Sequence, residues 1–114
     1  MSKDGFTEKR AFTRFPVSIR VRFPDPAQTG EVIHADTNDI CAAGIGIVTE
    51  KKLLPGIELD IYLHMDDTGE EIRLKGKVAW TIAADSGKYR VGIKLDTPSL
   101  KPIPLVLRIL NSRY

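Results

Sequence analysis

The chain has a single cysteine, Cys41, so it cannot close an internal disulfide, which agrees with a reducing compartment. No apolar run approaches the roughly 20 residues of a membrane-spanning helix, and the segment from Met1 to Arg10 is too polar for a secretory signal. A soluble, cytoplasmic protein without membrane insertion is expected. The two histidines, His34 and His64, fall in separate segments, and no Cys/His cluster has zinc-like spacing; no metal or other cofactor is expected. A net charge of +2 is too small for a binder of nucleic acid polymers, which carries a strongly basic face. The eight aromatic residues are four Phe, three Tyr and one Trp. With 114 residues, the chain suffices for one hydrophobic core and not for two.

The positive charge that exists is local. Residues 1–22 carry six basic side chains (Lys3, Lys9, Arg10, Arg14, Arg20, Arg22) and two acidic ones (Asp4, Glu8), a net +4, leaving −2 for the other 92 residues. Such an asymmetry suits a small anionic partner.

Period-two alternation dominates the rest. Val17, Ile19, Val21 and Phe23 alternate with polar residues in a first strand ended by Pro24-Asp25-Pro26. Residues 31–37 form a weaker second strand and residues 44–49 a third. Ile57, Leu59, Ile61 and Leu63 mark a fourth. After the loop-like Asp66-Asp67-Thr68-Gly69, a long fifth strand carries Ile72, Leu74, Gly76, Val78, Trp80 and Ile82 in one phase. Tyr89, Val91, Ile93 and Leu95 define a sixth. Six short strands without long intervening helices imply an all-β fold, an antiparallel barrel or closed sandwich, because parallel pairing needs crossover helices. From about Pro104 the period changes: Val106, Ile109, Leu110 and Arg113 suit a short C-terminal helix over one barrel mouth. Residues 1–8 read as a flexible leader and residues 9–114 as the domain with its arginine-bearing arm.

Two clusters carry chemistry. Arg10 and Arg14 stand four apart just before the first strand, about 6 Å apart along a helix axis or about 13 Å along a strand. Pro16 keeps Phe15 out of a helix, so they belong to a loop or extended arm. Spacing alone fits two solvated arginines. The second cluster, Asn38-Asp39-Ile40-Cys41-Ala42-Ala43-Gly44-Ile45-Gly46-Ile47, joins the second and third strands. Its small residues permit close approach to the backbone, although an ordinary turn with Gly44 at a positive φ or a bulge accounts for it equally.

Together, and in this order, the clusters resemble the PilZ domain family, whose signature is Arg-x-x-x-Arg followed by Asp/Asn-x-Ser-x-x-Gly. The matching residues are Arg10 and Arg14, then Asp39-Ile40-Cys41-Ala42-Ala43-Gly44; Lys77-Val78-Ala79-Trp80 and Tyr89-Arg90-Val91-Gly92-Ile93 also look like that family's later strands. The resemblance implies a six-stranded antiparallel β-barrel followed by a helix, and cyclic di-GMP as the ligand. It further implies that Arg10 and Arg14 take phosphate or the guanine O6/N7 edge, that Asp39 accepts from guanine N1–H and N2–H₂, and that Gly44 leaves room for a base. Lys9, just before the pair, is the position that influences whether one or two ligands are held. Cys41 stands where the family has serine, and a thiol is the weaker hydrogen-bonding partner. A downstream protein partner is implied as well. The alternative function is a divergent module that contacts proteins and no longer binds the nucleotide.

Other readings fall away. The paired acids Asp66, Asp67, Glu70 and Glu71 sit at a hairpin tip, where carboxylates are usually solvated. Catalysis needs a nucleophile or base in a cleft, and none is indicated. Most aromatics fall in the inward phase of their strands, against the exposed aromatics of an oligonucleotide-binding barrel.

Overall fold

The computed structural model describes residues 14–98 and 101–111; the proposed leader, Lys9 and Arg10 lie outside the described residues. Six strands, β1 (Arg20–Pro24), β2 (Val32–Ile40), β3 (Gly44–Thr49), β4 (Glu58–His64), β5 (Glu71–Ala83) and β6 (Tyr89–Leu95), are followed by helix α1 (Pro102–Asn111). Every strand pair is antiparallel, and the strands close in the order β1-β2-β3-β6-β5-β4. The long β5 makes closure possible: its first half pairs with β4 as far as Lys77, and its second half with β6 as far as Ala83.

Alternation fills the interior. Val21, Phe23, Ile45, Ile47, Leu59, Ile61, Leu63, Leu74, Val91 and Ile93 form one buried cluster. Val106 of α1 joins it, so the helix caps the barrel as its sequence pattern indicates. The helix begins two residues before Pro104, at Pro102, because both prolines fit a first turn whose N–H groups have no intrahelical partner. Arg108 of α1 ties the helix to the β4–β5 hairpin through Asp67 Oδ2 at 2.7 Å and Glu70 Oε1 at 3.6 Å. The hairpin acids expected to be merely solvated therefore hold ion pairs, and the bond from Arg108 keeps the Asp67 carboxyl below its usual range.

β1 starts three residues later than the alternation suggests. Val17 and Ile19 are buried in phase with it, but their backbone is held by a side chain opposite. Thr37 Oγ1 donates to the Val17 carbonyl at 2.6 Å and accepts from the Ile19 N–H at 2.8 Å, while the Thr37 N–H donates to the Ile19 carbonyl at 2.9 Å. Conversely, β2 runs on to Ile40, so Asn38 and Asp39 belong to a strand and not to the expected turn; a bulge between Thr37 and Asp39 accommodates them.

Asp25 anchors the β1–β2 loop. Its nearly covered carboxylate accepts from Ala27 N–H at 2.9 Å, Thr29 Oγ1 at 3.0 Å and Lys51 Nζ at 3.3 Å. The Ala27 N–H above all, then Thr29 and Lys51, hold the carboxyl below the usual carboxylate range against the opposing effect of burial.

Replacing Thr37 with valine conserves shape but strands the Ile19 donor and the Val17 acceptor. Denaturant unfolding is expected to show a loss of about 1–3 kcal/mol; an unchanged midpoint would mean that water replaces the hydroxyl.

Because Asp25 binds its proton less readily folded than unfolded, its contribution is complete above the unfolded pKa of about 3.9 and disappears as pH falls through the lower folded value. Asp25→Asn is expected to destabilise the protein at pH 7, with the gap to wild type closing below about pH 4. Thermal melts across that range test it, and a gap independent of pH would show that the charge is irrelevant.

Candidate functional site

The arm before β1 is pinned at one point. The Phe15 N–H donates to the Ile40 carbonyl at 2.8 Å, and the Ile40 N–H to the Phe15 carbonyl at 3.0 Å. This bridge places Arg14 beside Asp39, with Nη1 to Oδ1 at 2.9 Å. The same carboxylate oxygen accepts from the Gly46 N–H at 3.1 Å. Asp39 Oδ2 is therefore an unused acceptor among the described residues, and the Arg14 Nε and Nη2 groups are unused donors. With side chains 60% and 25% exposed, the pair is accessible. The structure thus brings Arg14 and Asp39 into direct contact.

Next to Asp39 the outward positions of β3 and β6 are glycines, and neighbouring side chains fold over them. The β2 bulge sets Asn38 and Asp39 both over Gly46, where a Cβ would lie 2.6 Å from Asn38 Oδ1 and 2.7 Å from Asp39 Oδ1. Gly46 pairs with Gly92 on β6, which pairs with Trp80 on β5; a Cβ on Gly92 would collide with the Trp80 indole. The row Asp39–Gly46–Gly92–Trp80 crosses three strand spacings, about 14 Å. It forms a shelf with a carboxylate and a guanidinium at one side and an indole, 40% exposed, at the other. Along β6, Arg90 and Lys94 lie two residues to either side of Gly92; both are exposed and neither has an ion-pair partner among the described residues. Elsewhere on the barrel Arg22 is neutralised: it grips Glu71 and covers the Tyr62 ring at 4.6 Å.

The position of Trp80 corrects the expected phase of β5. A second bulge, between Val78 and Trp80, shifts the alternation by one residue, so Trp80 and Ile82 turn outward while Val78 remains buried. Trp80, Gly92 and Arg90 are the members of the shelf that the sequence pattern does not single out. Their available signal is glycine at outward positions of two otherwise β-branched strands.

Two implied site residues have roles in the barrel wall. A Cβ at Gly44 would meet the Ile93 carbonyl at 2.7 Å, so the space above it is taken by β6 and its φ is not positive. Cys41, 5% exposed, donates its N–H to the Gly44 carbonyl at 2.9 Å and closes the β2–β3 turn. It shapes the site through backbone, with little thiol surface to offer a ligand.

No group of three His, Cys, Asp or Glu among the described residues is placed to hold a metal. A separate cleft of about 460 Å³ opens where β2 and β3 diverge, lined in part by His34, Asp36, Glu50, Lys51 and Lys88. Its charges alternate in sign and Lys51 is already engaged by Asp25. The shelf combines unspent donors and acceptors with an exposed indole, and it suits a flat ligand bearing both anionic and aromatic parts.

The family model described as the PilZ domain matches residues 8–111. No curated protein matches the chain in sequence. Among solved structures, the inhibitor of motility MotI/DgrA of Bacillus subtilis is similar with a TM-score of 0.68 at 18% identity, covering 90% of this chain and 52% of its own. The PilZ domain of Escherichia coli YcgR with c-di-GMP is similar at 0.65 and 13% identity, covering 91% and 90%. MrkH of K. pneumonia is similar at 0.62 and 20% identity, covering 88% and 47%. The chain thus spans about half the length of MotI/DgrA and MrkH. No described helix is long and apolar enough to cross a membrane.

Trp80 is the sole tryptophan, so it reports on the shelf directly. Gly92→Ala is expected to displace the indole and shift its emission while the fold survives; identical emission spectra for variant and wild type would show that the ring does not rest on Gly92.

Proposed function

Matched by the family model over residues 8–111, the chain belongs to the PilZ domain family, and from that membership we propose that it is a cyclic di-GMP receptor that regulates motility, biofilm formation or a related process through a protein partner. The observation that carries the reading is the Arg14–Asp39 pair at the edge of a glycine shelf walled by Trp80. Cyclic di-GMP presents two phosphodiesters and two guanines. The free edge of the Arg14 guanidinium, with Arg10, supplies bidentate donors to phosphate or to guanine O6/N7. Asp39 Oδ2 accepts from guanine N1–H and N2–H₂. A guanine stacks on the exposed face of the Trp80 indole, which covers Gly92, worth about 1–3 kcal/mol per base on an aromatic platform. Lys9 stands where it influences the number of ligands held, and Gly44 and Cys41 fix the turn beneath. Ligand is held and not turned over, so the protein is a binding module and not an enzyme, placed in the cytoplasm where a nucleotide messenger is made.

A second reading has its own observation. Trp80 and Ile82, two residues apart on β5, are exposed, as is Leu54, and an apolar surface of this kind suits a protein contact. A family member without the nucleotide would act through it.

Calorimetry with cyclic di-GMP separates the two. A dissociation constant of micromolar or tighter, about −8 kcal/mol, is expected, with negligible binding of GMP. Arg14→Ala should weaken it at least tenfold, the loss of a charged donor costing about 1.5–3 kcal/mol, whereas Arg108→Ala, at the far hairpin, should leave it unchanged. A flat titration at ~100 μM protein would remove the receptor reading and leave the contact module.

A further inference from the structure

β6 pairs Lys94 directly with Lys77 of β5, and both side chains are exposed on the outer face. Like charges directly opposite on neighbouring strands are destabilising. On its other side Lys77 faces Glu58 of β4 in a long, exposed ion pair of 3.9 Å. On its other flank Lys94 meets Gly44, which contributes no side chain. In the next row Lys75 lies opposite Asp60 on β4, and its carbonyl accepts from the Asp96 N–H at 3.0 Å. Asp96 lies two residues beyond Lys94 but makes no ion pair with it among the described residues.

The unspent charge adjoins the shelf. Lys94 follows Gly92 by two residues on the same face, about 7 Å along the strand, at the side away from Arg90. A ligand stacked on the exposed face of Trp80 with one phosphate at Arg14 extends along this line. We propose that Lys77 and Lys94 form a second anion subsite that holds the ligand's other phosphate, so that the protein selects ligands with two separated phosphates. This rests on the receptor reading above for the identity of the ligand, but not for the existence of the subsite. The repulsion between the two ammonium groups is relieved when an anion lies between them; Lys94 has no ion-pair partner among the described residues, and Lys77 gives up only its long, exposed contact with Glu58.

Cyclic di-GMP and, separately, inorganic pyrophosphate are titrated against wild type, Lys94→Gln, the Lys77→Gln/Lys94→Gln pair and Lys75→Gln, with a thermal melt of each. Lys94→Gln is expected to weaken cyclic di-GMP about five- to tenfold and the double variant further, each melting at or above the wild-type temperature because a repulsion has been removed. Lys75→Gln should bind as wild type does. Unchanged affinity in the double variant, or equal losses at Lys75 and Lys94, would overturn the subsite while leaving the receptor reading intact. If wild type ignores cyclic di-GMP, pyrophosphate decides: raising the melting temperature of wild type but not of the double variant supports the subsite and sinks only the receptor, whereas no difference between them sinks both.

Discussion

The bulge between Thr37 and Asp39 is the constraint on which the site depends. An extra residue opposite Gly46 breaks the period of two, so Thr37 points in, Asn38 and Asp39 both point out, and Ile40 points in again. Inward, the Thr37 hydroxyl takes the place of a ladder and holds residues 17–19 against the barrel. Outward, Asp39 caps the Gly46 N–H and receives Arg14. Without the extra residue Asp39 would face the core, where an unpaired carboxylate is too costly to keep. The arm would then lose its guide.

A second bulge acts in the same way across the shelf. At Val78 to Trp80, two successive residues, Ala79 and Trp80, turn outward. β2 and β5 thus each carry one irregularity, and between them β3 and β6 are regular strands with glycine at the facing outward positions. Either glycine could be replaced only at the expense of the residue its neighbour's bulge has placed there. Bulge and glycine are paired requirements, and the shelf follows from satisfying both.

This explains which parts of the molecule were legible in the sequence. Six strands, their order along the chain and the capping helix follow from alternation and from a change of period at the C-terminus, because burial imposes those patterns on many residues at once. A bulge is a single-residue event, invisible to a reading that assumes unbroken alternation. Unbroken alternation therefore gives the right phase for Val78 and the wrong one for Trp80 and Ile82, and it ends β2 before Asn38 and Asp39. Arg14 and Asp39 were recognisable as a motif, but their contact depends on the Phe15–Ile40 bridge, which no local pattern announces. A motif position such as Cys41 says which residue varies, not whether its side chain or its backbone is used; here the N–H closes the turn.

Two carboxylates of this barrel show how burial separates structure from function. Asp25 is nearly covered, accepts from three donors and is held as an anion below its usual range; nothing can approach it without dismantling the loop. Asp39 commits only one oxygen, and its partner Arg14 is largely in solvent. An exposed pair of this kind contributes about 0–1 kcal/mol, enough to bias the guanidinium toward the shelf and too little to oppose its transfer to a stronger anion. A charge-assisted bidentate contact exceeds that by a wide margin. The pair is consequently weak: an anion that engages the Arg14 guanidinium need displace only one oxygen of the Asp39 carboxylate, and the Gly46 N–H still holds that carboxylate in place.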